Sequence, residues 1–139
     1  MSLITAMIKT RRADGYSRNK LAQVQQARLK KLVDYARKNS PFYKDRYSNI
    51  SDAFRLEDLP PVTKPELMRN FDRVMTDCEV SMRAVDAFCT DLDNVGRMLN
   101  GKYLVFKTSG STGNPAVVLY DKQCMKNGFF MGRSGNDFS

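Results

Sequence analysis

The stretch Thr108-Ser109-Gly110-Ser111-Thr112-Gly113-Asn114-Pro115 constrains the fold more than any other part of the chain. Eight consecutive small or turn-forming residues extend neither a helix nor a ladder. They stand between two runs rich in β-branched and aromatic residues, Lys102 to Lys107 and Ala116 to Tyr120. That composition predicts two strands joined by a polar loop. Upstream, to about residue 93, apolar residues recur at helical spacing instead. The expected class is therefore α/β: N-terminal helices followed by a small β-sheet over residues 101–121, with a further helix from about residue 122. With 139 residues the chain is one domain or part of one.

The helical portion is punctuated by local signals. Residues 1–16 carry weak periodicity and read as a flexible leader, with residues 17–139 as the folded part. Ser17 is a candidate N-cap, and Leu21, Val24, Leu29, Leu32, Val33, Tyr35 and Ala36 mark one helix from Arg18 to Lys38 with an apolar stripe and a basic back. Asn39-Ser40-Pro41 stops it, because proline disfavours helix in the residue before it. Phe42 to Tyr47 is aromatic enough to dock on the core as a short turn. Residues 51–57 suggest another turn, and Leu59-Pro60-Pro61-Val62 is extended. Thr63, Pro65 and Glu66 then compose a capping box opening a helix to about Phe71. One more helix follows Ser81, carrying Val85, Phe88 and Cys89, and Asn94, Gly96, Asn100 and Gly101 mark the loop beyond. Asp121 is a candidate cap for the last helix, and Phe129-Phe130-Met131 read as core packing.

Charge is unevenly placed. Residues 1–46 hold twelve basic residues against Asp14, Asp34 and Asp45, whereas the remainder has eleven basic and twelve acidic residues. A basic arm on a near-neutral body fits an anionic partner, either a membrane surface or a nucleic acid stacked on Tyr35, Phe42, Tyr43 and Tyr47. The simpler reading is a solvated helix face whose other side packs on the body, since Lys and Arg are ordinary surface residues of helices. The longest apolar run, Ala116 to Tyr120, is far short of a bilayer span. The absence of His excludes a Ser-His-Asp triad or a His-ligated metal held by this chain alone. Cys78, Cys89 and Cys124 form no C-x-x-C pair and are expected to be reduced, mostly buried thiols in a cytoplasmic protein. Cys124 as a nucleophile lacks a base.

The loop carries the chemistry. Thr108, Ser109, Ser111 and Thr112 offer four hydroxyls, and Gly110 and Gly113 permit positive φ and close backbone approach. Successive amides in such a turn make a concave nest for an anion, with phosphate the natural guest. The ordinary nucleotide P-loop is not matched, since a strand rather than a helix follows. An inert polar hairpin is the competing reading.

Thr108 to Pro115 resembles the Ser/Thr/Gly-rich phosphate loop of the adenylate-forming superfamily of acyl-CoA synthetases and adenylation domains. Tyr35-Ala36-Arg37-Lys38-Asn39-Ser40-Pro41-Phe42-Tyr43 and Leu56-Glu57-Asp58-Leu59-Pro60-Pro61-Val62-Thr63-Lys64-Pro65-Glu66-Leu67 resemble, in order and spacing, two blocks of its phenylacetate–CoA ligase branch. Gly101 to Tyr120 is most similar to members found with capsular or exopolysaccharide biosynthesis. Asn114 stands where the family usually has Lys, which removes one positive contact and leaves the nest intact.

The resemblance implies that the chain is an N-terminal portion of the large domain of an ATP-dependent, carboxylate-activating ligase. Thr108, Ser109, Gly110, Ser111, Thr112, Gly113 and Asn114 would then hold the phosphates of ATP with Mg²⁺, and CoA is a candidate acyl acceptor. The ribose-binding Asp, the acyl pocket and the C-terminal domain with its catalytic Lys are not in this sequence. The chain alone is accordingly expected to be inactive, to expose apolar surface and to self-associate. The alternative is a non-catalytic module that binds anionic partners through its basic helix.

Overall fold

The computed structural model describes residues 15–108, 110 and 115–125. The leader up to Asp14 and Phe129-Phe130-Met131 lie outside them. The first helix, α1, spans Arg18–Asn39, and Ser17 caps it by accepting from the Lys20 amide at 3.3 Å. Arg37 and Lys38 in its last turn face the negative end of the helix dipole. Ser40 ends α1 and begins α2, Pro41–Arg46, where Pro41 sits in the first turn with no amide to satisfy.

Ser40 is also where three elements are tied together. Its side chain is 1% exposed. The hydroxyl donates to the Arg73 carbonyl at 2.9 Å and accepts from the Tyr43 amide at 3.4 Å. Ser40→Ala leaves both groups short of a partner in a dry place. It is expected to cost about 1–2 kcal/mol in urea denaturation; an unchanged midpoint would show that this junction carries no stability.

Two apolar clusters form the interior. Val33 from α1, Tyr47 and Phe54 make the first, joined by Leu29, Tyr43, Ile50 and Leu59. Arg37 closes it: its guanidinium donates to the Tyr47 carbonyl at 2.9 Å and to the Ile50 carbonyl, and lies 5.9 Å from the centre of the Phe54 ring. Phe42 is buried, Tyr43 stacks on Tyr47 at 5.4 Å, and the aromatic segment thus docks as expected. Those rings are committed to the interior and are not free stacking platforms. The apolar stripe of α1, in contrast, is only partly used. Val33 is its one buried member, while Leu21, Leu32 and Tyr35 stay exposed because α2 and the Phe54 segment cover a single narrow side of the helix.

The second cluster, Phe71, Val80, Val85, Leu99 and Val117, lies under the sheet. Three short helices surround it: α3 at Lys64–Arg69 packs Met68 against it, α4 at Phe71–Val74 supplies Phe71, and α5 at Met82–Thr90 supplies Val85. The helix expected to run unbroken from Thr63 to Phe71 instead breaks at Asn70, whose side-chain amide binds the Glu66 carbonyl at 2.9 Å. Only half the expected capping box forms. Thr63 accepts from the Glu66 amide at 3.4 Å, but the Glu66 carboxylate takes Arg46 at 2.5 Å. Arg46 also donates to the Pro61 carbonyl, which fastens the extended Pro60-Pro61 segment to α2. Ser81 caps α5 through the Ala84 amide at 3.2 Å.

The sheet is a single antiparallel pair, β1 at Tyr103–Lys107 and β2 at Val117–Asp121, in the register Tyr103↔Asp121 to Lys107↔Val117. Asn100 and Gly101, at φ 52° and 67°, turn the chain tightly into β1, with Leu99 and Tyr103 bridged across them. Alternation places Tyr103, Val105, Val117 and Leu119 on the core. The opposite face carries Leu104, Phe106, Val118 and Tyr120, with Phe106 packed edge-on to Tyr120 at 5.3 Å and 49% exposed. Asp121 caps the helical turn at 122–125 by accepting from the Cys124 amide at 2.5 Å. The cysteines correct the sequence reading: Cys78, Cys89 and Cys124 are free and exposed. Each sits in a turn or at the end of an element, past the reach of either cluster. Among the described residues no helix is long and apolar enough to cross a membrane.

Candidate phosphate loop

The loop is held at its neck by two independent constraints. Beyond the last strand pair, Lys107↔Val117, the Thr108 amide donates to the Ala116 carbonyl at 2.9 Å. The Ala116 amide donates in return to Thr108 Oγ1 at 2.8 Å, so a hydroxyl stands where a main-chain carbonyl would normally accept. Two residues beyond Thr108, Gly110 has φ +61° and lies so close to Pro115 that a Cβ would meet the Pro115 nitrogen at 2.7 Å. The two limbs of the loop therefore touch where they leave the sheet. The hydroxyl oxygen of Thr108 serves the neck, and its proton alone remains to donate outward. Ser109, Ser111, Thr112, Gly113 and Asn114, the rest of the expected nest, lie outside the described residues.

The nearest cation in sequence is already engaged. Lys107 Nζ binds Asp86 on α5 at 2.7 Å, and that contact raises its pKa. It fastens the base of the loop to the helix below.

At the other end of β1 is a polar group that sequence spacing did not bring out. Asp77 accepts from the Tyr103 hydroxyl at 2.9 Å, from Lys102 at 3.4 Å and from the Glu79 amide at 3.0 Å, while Lys102 also reaches Glu79 at 2.7 Å. These partners are far apart along the chain, apart from the Asp77–Glu79 contact, and no local pattern announces them. The Glu79 amide, then Tyr103 and Lys102, hold the Asp77 carboxyl below 3.8, its ordinary value. The Tyr103 hydroxyl is pushed up, chiefly by burial and then by Asp77. Beneath this group runs an apolar groove of about 390 Å³, walled by Met68, Phe71, Val80 and Leu119.

The sign of the pH dependence follows. A carboxyl with a lowered folded-state pKa stabilises the fold above its ordinary pKa, and that contribution disappears as pH falls through the folded value. Acid unfolding is thus expected to steepen below about pH 4, and Asp77→Asn is expected to flatten that limb while leaving neutral-pH behaviour less affected. Superimposable acid limbs in the two proteins would remove Asp77 from the account.

The chain is an α/β protein in which a helical body presents one antiparallel pair of strands and the loop between them. No family model, curated protein or solved structure matches it.

Proposed function

We propose that this chain is the phosphate-loop portion of an ATP-dependent, carboxylate-activating ligase of the adenylate-forming kind, similar to the phenylacetate–CoA ligase branch. The observation that carries the reading is the neck: Thr108 is paired with Ala116 and Gly110 is pressed on Pro115 at the base of a hydroxyl- and glycine-rich sequence between two strands. Such a loop suits a ligand that is recognised through amides and hydroxyls, as phosphate oxygens are.

In the proposed reaction a carboxylate oxygen attacks the α-phosphorus of ATP, the bond to the β-phosphate bridging oxygen breaks, and pyrophosphate departs. The product is an acyl-adenylate, which a thiol such as that of CoA then captures. Both reactants are anionic, so their approach is opposed. Amides and the hydroxyls of Ser109, Ser111 and Thr112 offset that opposition by binding the β- and γ-phosphates where leaving-group charge grows. The attacking carboxylate is ionised at neutral pH and needs no general base, which accords with a chain lacking His. Among the described residues no three His, Cys, Asp or Glu side chains stand together as a metal site. Mg²⁺ would therefore arrive on the nucleotide's own phosphates, where it shields their charge.

The reading places the protein in the cytoplasm, where ATP is available, and its similarity to capsular and exopolysaccharide proteins suggests a role in building such polymers. The test is ATP–pyrophosphate exchange by the full-length polypeptide against a panel of carboxylic acids. Acid-dependent exchange supports the proposal, and its absence with every acid opposes it. This chain by itself is expected to give none, because the ribose-binding and lysine-bearing parts of such enzymes are not in its sequence.

A further inference from the structure

The solvent face of α1 joins positive charge to exposed apolar side chains in a regular array. At 3.6 residues per turn, Lys20, Lys31 and Lys38 are spaced by about three and two turns and fall in one row along the helix. Leu21 and Leu32, also about three turns apart, form a second row beside it, with Arg28 and Tyr35 between them. All of these side chains are exposed, with Leu32 at 64% and Tyr35 at 56%. Among the described residues none of the four cations has an ion pair. The only carboxylate on α1, Asp34, borders the lysine row between Lys31 and Lys38 and is paired with Lys30 at 3.4 Å. By contrast Arg37, Arg46 and Arg73 are all paired with acids elsewhere in the molecule. The sequence just before α1 adds Lys9, Arg11 and Arg12.

The geometry points to this face as a docking surface for an anionic lipid bilayer, with α1 lying along the headgroups. The lysine row and Arg28 would sit on the lipid phosphates while Leu21, Leu32 and Tyr35 reach the acyl boundary. Charge complementarity selects an anionic partner, because the one bordering carboxylate is matched by Lys30 and leaves the four cations in excess. The leucines select lipid over nucleic acid. A nucleic acid would use the cations and Tyr35 but offers no apolar phase for Leu21 and Leu32, and Phe42, Tyr43 and Tyr47 are packed in or against the interior. The surface is independent of the phosphate loop, and the inference stands whether or not the chain activates carboxylates.

Flotation of the full chain with vesicles tests it. Binding is expected to phosphatidylcholine vesicles containing phosphatidylserine and not to phosphatidylcholine alone. The double variant Lys31→Glu/Lys38→Glu is expected to lower partitioning by at least about tenfold, while Arg83→Glu, a charge reversal on α5, leaves it near the parent value. Leu32→Ser/Tyr35→Ser should weaken binding and make the remainder more salt-sensitive, because only the Coulombic part is screened. Circular dichroism should report unchanged helix content in every variant, since all the altered side chains are exposed. The inference is overturned by no binding to the anionic vesicles, by equal binding to neutral ones, by indifference to the α1 substitutions, or by binding to oligonucleotides in place of vesicles.

Discussion

On the proposed reading, Gly110→Val is expected to abolish pyrophosphate exchange in the full-length polypeptide while leaving the fold in place. Two effects combine at this position. A φ of +61° is unfavourable for any residue with a Cβ and worse for a branched one, at a cost of about 1–3 kcal/mol. The added carbon would also lie 2.7 Å from the Pro115 nitrogen and 3.0 Å from its Cα, both main-chain atoms that move only with the loop. Relief requires the limbs to part, which pulls on the Thr108–Ala116 pair. Gly101 supplies the comparison. It has φ +67° but nothing within 4 Å of a built Cβ, so Gly101→Ala carries the backbone strain without the collision. Exchange close to the parent rate in Gly101→Ala and background exchange in Gly110→Val is the expected pair of results. Parent-level exchange in Gly110→Val would detach the loop from catalysis.

The largest effect on stability is expected from Phe71→Ala. Phe71 is 3% exposed and stands at the start of α4, where it meets Val80, Val85, Leu99 and Val117 from four other segments. Truncating a buried phenylalanine typically costs about 3–5 kcal/mol, of which part is the void left behind. Small domains hold about 5–15 kcal/mol in all, so this one change removes a large share. Because Val117 leads directly into the neck, the loss should also loosen the hairpin, seen as faster amide exchange at Val105 and Leu119. Phe106→Ala, on the exposed face of the same sheet, should cost far less. A urea midpoint for Phe71→Ala close to that of the parent would contradict this packing.

What the sequence made legible was mostly local. The caps at Ser17, Thr63, Ser81 and Asp121 lie within three residues of the amides they bind, and each is found where its residue type and position predict. The bounds of α1 followed from Ser17 and Pro41, and both strands from their β-branched and aromatic content, to within a residue. What escaped is set by long-range pairing. Glu66 was read as the partner of its own helix start, yet its carboxylate goes to Arg46, twenty residues away, because a fixed guanidinium outcompetes a local amide. Ser40 was read only as part of a helix stop, and its bond to Arg73 depends on the docking of α4. Leu32 and Tyr35 matched the helical stripe, but periodicity states which side of a helix is apolar and not whether a neighbour arrives to cover it. In the loop, residue types suggested four hydroxyl donors; the structure adds that the Thr108 oxygen also accepts from the Ala116 amide in the neck.

The central claim is that the segment between β1 and β2 is an anion nest for phosphate, and amide chemical-shift mapping of this chain with added pyrophosphate tests it most directly. The account predicts saturable shifts concentrated on Ser109, Gly110, Ser111, Thr112 and Gly113, persisting at physiological salt and largely lost in Gly110→Val. Shifts confined to Lys20, Arg28, Lys31 and Lys38 of α1, or none across the loop at millimolar pyrophosphate, would contradict it.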